Sequence, residues 1–208
     1  EAARRLPAGL RPLVVDGATV VGCCLLEVTA LRPVGLPAAV GVSQLAAAHR
    51  IAVEWDADGS TASGVFVVER RTNARTVIAA GGRAFPGVFG RAAIRRDNHA
   101  TSTSWSVRGG DMAIDAVEYR NGSPRFDAAS GFVAATCIGA DIGLSLGRSG
   151  DLEVAMMVPA TRDAVEVEVE THSSFIASFP SATAAPSFLM QNVAVRWSPG
   201  RLTHAVAA

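Results

Sequence analysis

Residues 163–171 read DAVEVEVET, a strict alternation of apolar and charged side chains. In an extended chain successive side chains point to opposite faces, so Val165, Val167 and Val169 share one face and Glu166, Glu168 and Glu170 the other. The stretch is expected to be a half-solvated antiparallel strand with the glutamates on its wet side. The segment before it repeats the period, with Leu152, Val154, Met156 and Val158 on one face. Working outward, TVVGCCLLEVT (19–29) is almost entirely apolar and reads as a strand covered on both faces. HRIAVEW (49–55), GVFVVERR (64–71), GRAAIRRD (90–97), TSTSWSV (101–107), DMAIDAVEY (111–119) and SFLMQNVAVRW (187–197) add further strands. Turn pairs at Asp58-Gly59, Asp97-Asn98, Gly109-Gly110 and Asn121-Gly122 separate several of them. Strands at this spacing predict an antiparallel barrel or sandwich. Only two segments carry helical signals. Thr72 as a cap and Gly81-Gly82 as a stop frame 72–82, and Phe126, Ala129, Val133 and Cys137 fall on one face of 126–137, which holds Gly131 in its middle. The expectation is a mainly β fold with one or two short helices, in a single domain over 1–208.

The chain has 208 residues, 49% of them hydrophobic and 18% charged, enough to bury a sizeable core in one domain. No apolar run approaches the roughly 18 residues a membrane-spanning helix needs, and EAARRLPAGL lacks an apolar signal region. A cytoplasmic protein with no membrane partner is expected. Basic and acidic residues balance at 19 each, without the cationic stripe that phosphate binding requires, so nucleic acid is not expected as a partner. All 19 basic residues are arginine; there is no lysine. The three cysteines, Cys23, Cys24 and Cys137, are an odd number and two are vicinal, so they read as small buried hydrophobes and not as a disulfide framework.

Several local patterns invite a chemical reading. Gly143-Leu144-Ser145-Leu146-Gly147 has the G-x-S-x-G form of a nucleophile elbow, but an elbow needs a helix after its serine, and Arg148-Ser149-Gly150-Asp151 is turn chemistry. Asn121-Gly122-Ser123 fits a glycosylation acceptor, yet Asn-Gly between strands is better explained as a hairpin turn. His49, His99, His172 and His204 occupy no ligand spacing, so no metal and no cofactor is expected. Ser174 shares a strand face with His172, whereas Ser173 would point away from it. Charged groups also sit inside apolar runs: His49, Arg50 and Glu54 on one strand, and Glu69, Arg70 and Arg71 at the end of the next. Guanidinium binds carboxylate through two parallel hydrogen bonds, so these residues form a fitting environment for an organic anion. Structural ion pairing is the plainer reading of each alone.

Residues 81–90, GGRAFPGVFG, combine turn chemistry with Phe85, Val88, Phe89 and the cation Arg83. Together with HRIAVEW, GVFVVERRTNARTVIAAGGRAFPG, ETHSSF, FLMQNVAVRW and the N-terminal LPAGLRPLVVDGATVVGCCLLEV, this stretch resembles the DUF2071 (YqjF-like) family of uncharacterised bacterial proteins. That family is similar to the acetoacetate decarboxylase superfamily. The resemblance, over roughly residues 6–197, implies an antiparallel β-barrel or cone enclosing a small apolar pocket. It also implies that the Schiff-base lysine of the decarboxylases, which follows an aromatic-Pro segment, corresponds to Gly87 or Val88. Neither supplies an amine, and a chain without lysine cannot replace it elsewhere, so Schiff-base decarboxylation is excluded by composition.

The leading expectation is an interior pocket that binds a small organic acid or carbonyl compound. Arg70, Arg71, Arg83, Phe85, Gly87, Val88 and Ser174 are its expected ligand contacts. At most one of Arg70 and Arg71 faces it, because neighbours on a regular strand diverge. The alternative is a lyase, isomerase or hydrolase using Glu54 and His49 for proton transfer. A structural protein with a filled cavity is the third class. Exposed strand edges make a homo-oligomer a further expectation.

Overall fold

The structure is a computed structural model and describes residues 1–120 and 130–200. Among the described residues strands far outweigh helices, which places the chain in the mainly β class. In chain order the strands are β1 (Arg11–Pro12), β2 (Val21–Leu31), β3 (Val42–Ala57), β4 (Ser60–Thr72), β5 (Gly90–Arg91), β6 (Ala93–Asn98), β7 (Ser102–Gly109), β8 (Met112–Tyr119), β9 (Ile142–Leu146), β10 (Leu152–Pro159), β11 (Val165–Ser173), β12 (Ser187–Leu189) and β13 (Val195–Pro199). The helices are α1 (Arg75–Ala80), between β4 and β5, α2 (Ser130–Cys137), before β9, and α3 (Ser174–Ala177), directly after β11.

Two sheets form. The larger runs β1-β3-β4-β9-β10-β13, with β2 also on β3 and β5 also on β4; the smaller runs β12-β11-β8-β7-β6. The sheets stay open, so the expected barrel is not a closed hydrogen-bonded cylinder. β3 is the spine, because it alternates large and small apolar residues and can therefore be covered on both faces. Ile51, Val53 and Trp55 point to one face with 0–2% exposure. They join Phe66, Leu144, Val154 and, from α3 and the turn after it, Phe175 and Phe179. Farther along the same face Ala47 meets Ile94, Val107, Met112 and Ile114 of the smaller sheet. The other face of β3 carries Ala46, Ala48 and Ala52, all buried, leaving room above them for longer side chains.

The β3–β4 hairpin closes at Asp58-Gly59 as expected, both residues taking positive φ (42° and 83°), the combination a tight primed turn requires. One bulge interrupts its ladder: His49 pairs with Glu69, but Arg50 pairs with Val67. Val68 is the extra residue, so β4 switches phase there.

Several sequence expectations are corrected. β2 is half-buried and not covered on both faces, and Cys23 and Cys24 are likewise half-buried. Along β11 the glutamates are not a wet row: Glu166 is half-buried while Val165 is 60% exposed. Residues 187–197 break into β12 and β13 on different sheets, and Asp97 and Asn98 belong to β6, not to a turn. α1 begins at Arg75. Thr72 ends β4, where its hydroxyl accepts from the Ala74 amide at 3.1 Å and donates to the Leu45 carbonyl. The Asn121-Gly122 turn, the Asn121-Gly122-Ser123 acceptor, Phe126, Ala129 and His204 lie outside the described residues.

Candidate functional site

The phase switch in β4 determines which charged groups meet. Beyond the bulge, Glu69 and Arg71 share the face of His49, while Arg70 joins the face of Arg50. Arg70 and Arg71 thus leave the strand on opposite faces, yet both line the cleft beside it, against the expectation that only one would.

On the Arg70 face, β9 adds Ser145 and β10 adds Glu153, directly paired in register. β4 and β9 pair only at Val65–Gly143 and Phe66–Leu144. Their later residues frame a cleft of about 320 Å³, lined by Glu69, Arg70, Val88, Gly90, Ser145 and Gly147 among others. Arg70 donates through Nη1 to the Pro86 carbonyl at 2.9 Å and lies over the Phe89 ring at 5.5 Å. Burial pushes its pKa down to about 10, Arg50 adds to that and Glu153 opposes it. The guanidinium therefore stays charged at neutral pH in a place poor in water. Arg50 makes no ion pair among the described residues, and its Nε is buried without a hydrogen-bond partner, as is Ser145 Oγ. Unpaired buried donors of this kind are rare and costly.

Gly87 closes the cluster. Its φ of 87° belongs to the left-handed region that favours glycine, and its amide donates to Glu153 Oε2 at 2.5 Å. A Cβ at this position would collide with Arg70 Nη1 and lie 2.6 Å from Ser145 Oγ. The guanidinium thus occupies the space into which a side chain at 87 would project. Phe85 stands nearby, 6.0 Å from Phe89 and 6.3 Å from the Trp197 ring of β13. Val88 is 41% exposed at the cleft mouth.

The other expected residues lie elsewhere. Arg83 does not reach the cluster: it is exposed at the end of α1, where its Nη1 donates to the Ala79 carbonyl at 3.3 Å. Glu54 does not meet His49, since the two are five residues apart on β3 and point to opposite faces; Glu54 accepts from Arg11 Nε at 2.7 Å. Ser174 opens α3 and is bound to backbone, donating to the Asp111 carbonyl at 2.9 Å and accepting from the Ala113 amide at 3.1 Å. It lines a separate groove with His172 and Asp115.

His49 is 3% exposed and stacks on Phe175 at 4.7 Å. Its Nε2 lies 3.3 Å from Ser173 Oγ, and its Nδ1 3.8 Å from Glu69 Oε2. Glu69 is in turn held by Arg71. Burial, and then the Arg5 charge, push the His49 pKa down to about 4, so the ring is neutral. Ser173 caps α3 by accepting from the Ile176 amide. This group reads as a packed polar core, with its charged end in an ion pair.

The G-x-S-x-G match at Ser145 was set aside for want of a following helix, and the serine does lie within β9 with a turn after it; Glu153 was not among the expected residues. A lone carboxylate inside the apolar run LEVAMMV was the available signal. Among the described residues no group of three or more His, Cys, Asp or Glu is placed to hold a metal, and no helix is long and apolar enough to cross a membrane.

No family model matches the chain, and no curated protein matches it. Among solved structures it is similar to the acetoacetate decarboxylase of Legionella pneumophila subsp. pneumophila str. Philadelphia 1, with a TM-score of 0.60 and 13% identity, covering 92% of this chain and 74% of that one. A second similar structure is an acetoacetate decarboxylase-like enzyme from Sphingomonas wittichii RW1, with a TM-score of 0.49, 14% identity and coverage of 93% and 80%. The first likeness establishes an acetoacetate decarboxylase-like fold. Here that fold carries an arginine-centred cleft in a chain without lysine.

Proposed function

We propose that the cleft between β4 and β9 binds a small organic acid, its carboxylate held by Arg70 and Arg50 with Ser145 as a further donor. One observation carries this reading: a guanidinium, Arg70, whose pKa is lowered by burial and by the charge of Arg50, beside a buried and unpaired Arg50 Nε and an unpaired serine hydroxyl. An anion accepts from all three and offsets the mutual repulsion of the two cations. The apolar part of the ligand lies toward Phe89, Phe85 and Val88. The resemblance of residues 64–87 to the DUF2071 family fits this reading, because it puts the decarboxylase lysine at Gly87 or Val88, and the Arg70 guanidinium fills the space beside Gly87. A guanidinium keeps the positive charge of an amine but forms no Schiff base.

The test is calorimetry and thermal unfolding with acetate, butyrate and 2-oxobutyrate. The purified protein is expected to bind at least one, and Arg70→Met and Arg50→Met each to weaken binding tenfold or more while remaining folded by circular dichroism. Undiminished binding in Arg70→Met, or no binding of any of the three acids by the unmodified chain, would overturn the assignment.

A further inference from the structure

We infer that Glu153 is a proton-transfer group in this cleft and that its substrates are short 2-oxo acids, an inference that rests on the carboxylate-binding reading above. Two observations point there. The first is the position of the Glu153 carboxylate. Oε2 is anchored by the Gly87 amide at 2.5 Å. The other end of the group lies against Gly147, where a Cβ would come within 2.6 Å of Glu153 Cδ and closer still to Oε1. Gly147 lines the cleft, so Oε1 fills the side-chain position of a cleft-wall residue. Glu153 makes no ion pair with Arg70, whereas Glu69, the carboxylate that lines the cleft, is held by Arg71. One carboxylate oxygen is therefore fixed and the other is left for chemistry, as a general base requires.

The second observation is the number of donors. A carboxylate satisfied in bidentate fashion uses two parallel N–H groups. Arg70 offers more than that by itself, with Nη2 pointing toward Gly143, which has no side chain to fill the space. Arg50 Nε and Ser145 Oγ remain. A second oxygen beside the carboxylate, the keto oxygen of a 2-oxo acid, gives these donors a partner. A plain fatty acid does not.

The step balances without a co-reactant. Glu153 Oε1 takes a proton from C3; the C3–H electron pair becomes the C2–C3 double bond, and the carbonyl pair moves onto the keto oxygen. That oxygen gains negative charge facing Ser145 and the guanidinium groups, where preorganised donors stabilise it most. Return of a proton from Glu153, after exchange with solvent, regenerates the acid with a new hydrogen at C3. Such enolisation is the half-reaction common to isomerases and racemases of carbonyl compounds.

The test is proton NMR of 2-oxobutyrate in deuterium oxide with the full chain, following loss of the C3 methylene signal against a protein-free control, with affinities measured in parallel for 2-oxobutyrate and butyrate. The expected results are exchange at least a hundredfold above the control, tenfold tighter binding of 2-oxobutyrate, and loss of exchange in Glu153→Gln with binding retained. Glu153→Asp, which keeps the carboxylate, is expected to retain a fraction of the rate. Binding without exchange in the unmodified chain would overturn the inference and leave the binding site standing. No binding would overturn the reading beneath it. Exchange undiminished in Glu153→Gln would remove the glutamate from the chemistry, and butyrate binding as tightly as 2-oxobutyrate would overturn the substrate class.

Discussion

Gly87 is the residue on which the cleft turns. Its backbone conformation is one that side chains rarely adopt, its amide holds Glu153, and the space beside its Cα belongs to Arg70 and Ser145. Gly87→Ala adds a strained φ to a collision with a buried cation, and is expected to cost about 2–4 kcal/mol of stability, measured as a lower urea midpoint at unchanged slope. His49 presents a different problem at the same scale. Its folded pKa of about 4 lies below the ordinary 6.5, so the unfolded chain binds the extra proton first. Stability is therefore fully present above pH 6.5 and declines as the pH falls toward 4, by on the order of 3 kcal/mol if His49 acts alone. His49→Phe, which keeps the stack on Phe175, is expected to flatten urea-measured stability across that window. An unchanged slope would mean that other groups carry the acid sensitivity.

At the scale of the element, the bulge at Val68 does more than bend β4. Strict alternation would put Val65, Val67, Glu69 and Arg71 on one face and Phe66, Val68 and Arg70 on the other. With the bulge, Arg70 joins Val65 and Val67 beneath the cleft, and Glu69 follows Val68 to the core side, where His49 and Arg71 meet it. Removing Val68 leaves Val67 opposite Arg50 and Glu69 opposite His49 in an unbroken ladder. The deletion is therefore expected to keep Arg70 on its face and to preserve carboxylate binding. It loses the partial burial of Val68 against the main core, about 1–2 kcal/mol. Binding lost in a folded deletion variant would show that the local twist, and not the face alone, aims the guanidinium. The opening of β4 from β9 was not legible in either strand, because it depends on where the parallel pairing stops.

For the whole molecule, the proposed site joins segments distant in the chain: β3 brings Arg50, β4 Arg70, the loop before β5 Gly87, β9 Ser145 and β10 Glu153. A ligand bridging them binds the folded state alone, so its binding energy adds to global stability. At a hundred times its dissociation constant a bound acid adds about 2.7 kcal/mol, which for a chain of this size raises the melting temperature by about 5–10 °C. The same acid is expected to leave Arg70→Met almost unshifted in differential scanning fluorimetry.

Much of this architecture was legible before folding. Alternation and turn residues identified β3, β4, β6, β7, β8, β10 and β11, and composition alone removed lysine chemistry, because both are local or additive properties of the chain. Arg70, Gly87 and the apolar wall of residues 85–89 were singled out for the same reason: turn chemistry and charge inside apolar context are written in neighbouring residues. The phase of β4 was not, since a bulge depends on the strand opposite. Nor was the use of Arg83 on a helix end, of Glu54 on Arg11, or of Glu153 against Gly87, 66 positions away. Those pairings are decided by which faces the packed sheets bring together, and no period within one segment encodes the contents of another.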